Sequence, residues 1–254
     1  MEKFIQKIAE GAGSILLSGF HLDHKSESKT NMAWDVVTDF DRKSEEYLVK
    51  HIQKKFPLHG ILGEEGGMIG NKKEYWIIDP LDGTWSYSKH IPLFSVLIAH
   101  VKQGKVLHST IYDPIHKEFF YAAKGKGAFL NGKRISVSQK KELKHSLGSG
   151  YMHPEVYPVD YRKKVNARIA ENEIVLFKII GTGISSAYVA AGRTDFFYGC
   201  GENTVWDYAA PWLVLTEAGC KVTDIEGKPF NLSKRQFVCA NSVLHKQIVA
   251  MLKN

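Results

Sequence analysis

The chain reads as a layered α/β or α+β protein built in two halves. Three observations predict this: helical apolar spacing at the start, β-rich runs joined by tight turns in the middle, and strands alternating with helices after residue 145. Residues 2–20 space Phe4, Ile5, Ile8, Ala9, Ala12, Ile15 and Leu16 as one face of a helix. Residues 21–34 are polar, without a period, and read as a loop. Residues 41–55 give a second amphipathic helix, with Tyr47, Leu48 and Ile52 on one face. Trp76-Ile77-Ile78 is a short apolar strand expected to stop at Asp79-Pro80, because proline brings no N–H to a strand ladder. Residues 94–101 and 105–111 predict a hairpin about Lys102-Gln103-Gly104. Strands follow at 118–122 and 127–130, and Asn131-Gly132 makes a tight turn into Ile135-Ser136-Val137. The polar stretch 138–145 is the best internal boundary. Beyond it come a strand at 174–180, a helix at 184–191 closed by Gly192 and a strand at 195–198. A helix over about 205–218 with Gly219 as its left-handed cap, and a last helix at 242–252, complete the chain.

The 254 residues are 44% hydrophobic and 24% charged, proportions that exclude a wholly disordered chain. No window approaches ~18 uninterrupted apolar residues, so neither a transmembrane helix nor a membrane partner is expected. Charges at Glu2, Lys3 and Lys7 stand where a secretion signal needs an apolar run. The three cysteines, Cys200, Cys220 and Cys239, lack C-x-x-C spacing. They predict no disulfide framework and no zinc ribbon, and point to the reducing cytoplasm. The net charge of +7, from 34 basic and 27 acidic residues, raises a nucleic-acid reading. The basic residues are spread, however, and the runs Lys140-Lys141, Lys144-His145 and Arg162-Lys163-Lys164 are short. They read as solvated helix faces or loops. A nucleic acid is therefore not the expected partner, and a mild positive field suits a small phosphorylated substrate.

The chemistry lies in the acids. Gly63-Glu64-Glu65 precedes Asp79-Pro80-Leu81-Asp82-Gly83-Thr84, and Trp206-Asp207 opens a late helix. Ligand sites of α/β sheets lie beyond the carboxyl ends of strands, where Asp79 and Asp82 stand. Gly83 lets a ligand approach the backbone, and the N–H groups of Gly83 and Thr84 can face an anion. Two aspartates beside an anion pocket repel each other and the anion. A hard cation resolves the conflict, and oxygen donors of this kind suit magnesium rather than zinc. Glu64 and Asp207 would complete a cluster of four acids.

On these motifs the sequence resembles the inositol monophosphatase family of magnesium-dependent, lithium-sensitive phosphatases. Further matching stretches are Asp35-Val36-Val37-Thr38 with Asp41, Gly125-Lys126-Gly127-Ala128-Phe129-Leu130-Asn131-Gly132, and Tyr188-Val189-Ala190-Ala191-Gly192-Arg193, so the likeness spans nearly the whole chain. The resemblance implies an α-β-α-β-α sandwich of the inositol monophosphatase and fructose-1,6-bisphosphatase type. It implies one domain over 1–254, with a metal-bearing half of about 1–140 and a half of about 141–254 that supplies Asp207. A homodimer is implied as well. Glu64, Asp79 and the Leu81 carbonyl would hold a first magnesium; Asp79, Asp82 and Asp207 a second. A third ion, held mostly by water, would lie near Glu64. Thr84, paired with Asp41, would orient and deprotonate the attacking water. Glu65, adjacent to Glu64, would be a network residue rather than a direct ligand.

Other patterns carry less. His21-x-x-His24 has no metal partners. Gly148-Ser149-Gly150 lacks the hydrolase elbow and reads as a strand-to-loop turn, with Tyr151 beside it as a weak candidate near the site. The glycines at 125–132 lack the ending of a phosphate loop and predict a hairpin. The family's substrate-binding glutamate, about seven residues before the Trp-Asp aspartate, is replaced here by Cys200, unless a shifted gap lets Glu202 serve. Thr84-Trp85-Ser86-Tyr87 and Thr30 also depart from the family pattern. The metal and phosphate machinery therefore reads as intact, and the pocket for the alcohol as altered. The expected activity is hydrolysis of a small polyol phosphate, with inositol 1-phosphate as the family default. Runners-up are 3′-phosphoadenosine 5′-phosphate, fructose 1,6-bisphosphate, histidinol phosphate and NADP. A further alternative is an interaction protein on this fold that binds RNA or a transcription complex.

Overall fold

The structure, a computed structural model, describes residues 1–22, 26–28, 36–177, 181–201, 204–233 and 236–253. In chain order the elements are α1 (Glu2–Gly19), β1 (Ser26–Ser28), β2 (Val36–Thr38), α2 (Asp39–Lys55), β3 (Gly60–Gly63), β4 (Gly67–Ile69), β5 (Glu74–Asp82) and α3 (Thr84–Ser88). There follow β6 (Ser95–Lys102), β7 (Lys105–Asp113), β8 (Glu118–Ala123), β9 (Gly127–Leu130), β10 (Lys133–Ile135), β11 (Leu147–Met152), α4 (Val159–Glu171) and β12 (Val175–Leu176). The last are α5 (Thr182–Ala190), β13 (Phe196–Cys200), α6 (Val205–Glu217), β14 (Lys221–Thr223), β15 (Gln236–Ala240) and α7 (Ser242–Leu252).

Side-chain alternation along the strands sorts the chain into five layers. In β5 and β6, Trp76, Ile78, Val96 and Ile98 turn to one face, where Ile5, Ile8 and Leu16 of α1 and Leu48 of α2 cover them. Ile77, Leu97 and Ala99 turn the other way, onto Ala187 of α5 and Leu213 and Val214 of α6. These two helices meet Phe197, Phe237 and Cys239 of a second sheet on their far side. The outer face of that sheet, Phe196, Tyr198 and Val238, packs on Val165 and Ile169 of α4 and on Leu244 and Ile248 of α7. The order is the expected α-β-α-β-α. The larger sheet runs β10-β9-β8-β7-β6-β5-β3-β4, and the smaller runs β12-β11-β13-β15-β14. Residues 138–145 lie between β10 of the first sheet and β11 of the second.

Three expectations are corrected. β5 does not stop at Pro80 but runs on to Asp82, with its register against β6 shifting between Asp79 and Asp82. At that irregularity the missing proline N–H breaks no ladder bond. Gly148-Ser149-Gly150 is strand β11, not a turn. A Cβ at Gly148 would stand 2.3 Å from the Phe196 ring and one at Gly150 2.0 Å from the Tyr198 ring, so the glycines make room for aromatic neighbours on β13. The loop expected over 21–34 contains β1, paired antiparallel with β2, and residues 23–25 and 29–35, including His24 and Asp35, lie outside the described residues. The strand expected at 174–180 is described only as β12, since 178–180 also lie outside. The hairpin turns hold: Gln103 and Gly104 have φ of 50° and 71°, Asn131 and Gly132 of 48° and 78°. No described helix is long and apolar enough to cross a membrane.

Candidate active site

β3 and β5 are parallel, and Gly63 pairs with Ile78, so the residues that follow, Glu64 and Asp79, emerge side by side at one sheet edge. The Leu81 N–H donates to Asp79 Oδ1 at 3.0 Å and folds the Asp-Pro-Leu-Asp segment back on itself. Gly83, in the left-handed region at φ 88°, turns the chain into α3. Asp207 arrives from the layer between the sheets, as the third residue of α6. Asp79, Asp82 and Asp207 each offer an oxygen within 4.8 Å of the others.

Asp79 and Asp82 are buried. Burial raises the Asp79 carboxyl well above the ordinary range, and the charges of Glu64, Asp82 and Asp207 raise it further. Burial also raises Asp82, opposed by the N–H groups of Thr182 and Gly183 and the Ser95 hydroxyl. The other three predicted acids therefore all act on Asp79, and the charges that raise it are carboxylates. Such a set is stabilised by cations. Its carboxylates are hard oxygens of the kind that fit magnesium.

Asp41 and Asp207 are positioned alike. Each is the third residue of its helix and closes a capping box on the threonine before it. Asp41 Oδ2 accepts the Thr38 N–H at 2.8 Å and the Thr38 hydroxyl at 2.6 Å. Asp207 Oδ2 accepts the Thr204 N–H at 2.6 Å and the Thr204 hydroxyl at 3.0 Å. The predicted pairing of Thr84 with Asp41 is present: the Thr84 hydroxyl lies 3.0 Å from Asp41 Oδ1 and 2.9 Å from the Leu81 carbonyl.

Cys200 is corrected. Strand alternation sends it outward with Phe196 and Tyr198, into the core under α4 and α7, where it is fully buried and burial pushes its thiol up to about 12. It is not available to a substrate. Glu202 lies outside the described residues. Tyr151 is exposed on β11.

Several supports were not foreseen. Asp82 accepts the N–H of Thr182 and of Gly183, both at 2.9 Å, and the Ser95 hydroxyl at 3.0 Å. Ser44 Oγ donates to the Pro80 carbonyl at 3.0 Å, and Glu45 accepts from the loop after Glu64. The twin Thr-x-x-Asp spacings at 38–41 and 204–207 were legible signals for the capping boxes; the other supports come from far along the chain.

A second group, His59, Glu74 and His100, also brings ligand atoms within 4.8 Å. The Trp76 indole N–H donates to His59 Nδ1 at 3.2 Å, which leaves the ring proton on Nε2, 3.6 Å from Glu74 Oε1. His100 Nε2 lies 3.2 Å from the same oxygen, and Lys102 Nζ 2.9 Å from Oε2. The Lys102 bond holds the Glu74 carboxyl below its usual range. Donors, not a vacant charge, surround this acid.

The whole chain, residues 1–254, matches the family model described as the inositol monophosphatase family. A Thermotoga maritima protein named "Fructose-1,6-bisphosphatase/inositol-1-monophosphatase" is 35% identical over 250 residues, 98% of this chain and 94% of that protein. A Pseudomonas aeruginosa protein named "Nus factor SuhB" is 34% identical over 255 residues, 97% of this chain and 93% of its own. Among solved structures, the extragenic suppressor protein suhB from Bartonella henselae superposes with a TM-score of 0.93 at 32% identity, covering 100% of this chain and 98% of that one.

Proposed function

Since the chain belongs to the inositol monophosphatase family, we propose that it is a magnesium-dependent phosphomonoesterase acting on a small polyol phosphate, with inositol 1-phosphate the first substrate to try. The observation that carries this reading is the cluster of buried Asp79 and Asp82 with half-buried Asp207, in which the neighbouring carboxylates raise the Asp79 carboxyl and call for cations. In this reading Glu64, Asp79 and the Leu81 carbonyl hold one ion, and Asp79, Asp82 and Asp207 another, with a third near Glu64. Bound magnesium supplies a water of lowered pKa, neutralised phosphate oxygens and an electrophile for the leaving oxygen.

The chain's own groups do the rest. Thr84 has one hydroxyl proton and two acceptors in reach, Asp41 and Leu81. Giving the proton to Asp41 leaves the Leu81 carbonyl to serve as a ligand. It also leaves the Thr84 lone pairs to accept from the attacking water. Asp41, held on its other oxygen by Thr38, is then the base within reach of that proton. Gly83 and Thr84 turn their N–H groups toward the phosphate; α3 is a single turn, so its dipole adds little. Lithium inhibition and a homodimer belong to the same reading. Glu202 is the proposed partner of a substrate hydroxyl.

The test is phosphate release from inositol 1-phosphate, fructose 1,6-bisphosphate, 3′-phosphoadenosine 5′-phosphate, histidinol phosphate and NADP, with magnesium and with a chelator. Turnover of one of them that needs magnesium supports the proposal. No turnover of any, at saturating magnesium, overturns it in favour of the second reading, a protein that binds RNA or a transcription complex. That reading draws on the Nus factor name of relatives such as the Pseudomonas protein and on the basic balance of the chain.

A further inference from the structure

One face of α2 is turned to the site at three consecutive contact positions. Asp41, Ser44 and Glu45 are spaced i, i+3 and i+4, so they share that face, and all three are buried. Asp41 meets Thr84, and Ser44 holds the Pro80 carbonyl. Glu45 grips a third segment. Its Oε2 accepts the Glu65 N–H at 3.0 Å and its Oε1 the Gly66 N–H at 2.6 Å. These are the two peptide groups that directly follow Glu64.

The glycines around Glu64 are shaped to this carboxylate. A Cβ on Gly63 would stand 2.7 Å from the Glu45 carboxyl carbon and from both of its oxygens, and one on Gly66 would stand 2.9 Å from Oε1. Neither glycine has a positive φ, so backbone conformation does not demand them. Close approach of Glu45 does. A carboxylate that accepts two backbone N–H groups makes charge-assisted bonds that fix both peptides. With β3 anchored in the sheet before Glu64 and Glu45 holding the chain after it, the Glu64 side chain has a defined origin beside Asp79.

We infer that Glu45 is a positioning residue for the ion site at Glu64: it sets magnesium affinity by clamping the Glu65 and Gly66 peptides, without touching the ion. The inference rests on the metal reading proposed above. Glu45→Gln keeps the shape but can accept only one of the two N–H groups, and its own NH2 opposes the other. The magnesium concentration for half-maximal turnover should rise about tenfold, the low end of what outer-shell partners of a metal contribute, while kcat at saturating magnesium stays within about twofold. Calorimetric titration with magnesium chloride should show the same weakening without substrate. Hydrogen exchange at the Glu65 and Gly66 amides should quicken while the helix and sheet amides hold.

Unchanged magnesium affinity in folded Glu45→Gln overturns the inference, and so does a fall in stability without that change. If Glu45→Gln does not fold, Gly66→Ala serves: Gly66 is exposed, and the added methyl displaces only Oε1. A weakened magnesium titration there supports the clamp, and an unaltered one overturns it. Asp79→Asn is the control for the underlying reading. If Asp79→Asn abolishes magnesium binding and the clamp variants do not weaken it, the clamp alone fails. If Asp79→Asn binds magnesium normally, the metal reading itself fails.

Discussion

Glu74 and Asp79 sit on one strand, five residues and about 17 Å apart, and their surroundings are electrically opposite. Around Glu74 stand Lys102 and the rings of His59 and His100, and the Lys102 bond holds its carboxyl low. Around Asp79 stand Glu64, Asp82 and Asp207, and its carboxyl is driven up. Both ends are clusters of metal-binding residue types at similar spacing. The charges that act on Asp79 are carboxylates, whereas those that act on Glu74 are Lys102 and two imidazoles. Proximity of ligand atoms alone thus does not separate the two clusters; the charges that surround each carboxyl do.

The largest expected effect comes from breaking the end around Asp79. Asp79→Asn or Asp82→Asn should cut phosphatase turnover by about 100-fold or more, since a direct ligand matters at least as much as the outer-shell partners that give ~10–100-fold. Steady-state rates across a magnesium series measure it, and rates restored by excess magnesium in both variants would take the two aspartates out of the ligand set.

The two ends should also part company with pH, as followed by urea unfolding of magnesium-free protein. Burial pushes the His100 ring down to about 4, so the fold holds it neutral. Its contribution is complete above the unfolded value of about 6.5 and is lost as pH falls from there to 4, up to roughly 3 kcal/mol. Asp79 works in the other direction. Its carboxyl is raised in the fold, so stability drains as pH climbs above the ordinary carboxylate range, and magnesium should restore it. A pH profile that is flat on both sides would dissolve the contrast.

A smaller and sharper test applies the same acid-to-amide swap at each end. In magnesium-free protein near neutral pH, Asp79→Asn should stabilise by about 1 kcal/mol by removing a like-charge conflict, whereas Glu74→Gln should destabilise by about 1 kcal/mol through a weakened bond to half-exposed Lys102. Equal signs in thermal melts would mean that one environment has been misjudged. A further effect falls on substrate choice alone: Glu202→Gln should lower kcat/KM for the polyol phosphate about tenfold and leave a generic aryl phosphate almost untouched. Equal losses on both would assign Glu202 to the support of the metal loop instead.

What could be read from the sequence follows from how far each signal reaches. The helices α1 and α7 show a full apolar stripe, and their ends were placed within a residue or so. The helix α4 is not legible in the sequence, because only Val165 and Ile169 of its thirteen residues are buried and charged or polar residues make up most of the rest. β11 was hidden by its glycines, whose partners Phe196 and Tyr198 lie nearly fifty residues on. The acids of the site were legible because short motifs carry them. Their supports were not: Ser44 meets a carbonyl 36 residues away, Glu45 an amide 20 away, and Asp82 two amides 100 and 101 away. Cys200 misled because its place in a motif said nothing of which side of β13 it occupies.

The bonds from Asp82 to Thr182 and Gly183 have a consequence for the order in which the protein is made. On a ribosome, the first sheet and its acids emerge while α5 and Asp207 are still unsynthesised, so Asp82 waits without the two amides that later stabilise it. Closing a loop of 100 residues is slow compared with forming the hairpins of β6 to β10. The candidate site is therefore completed only after the first sheet that bears most of its acids has formed.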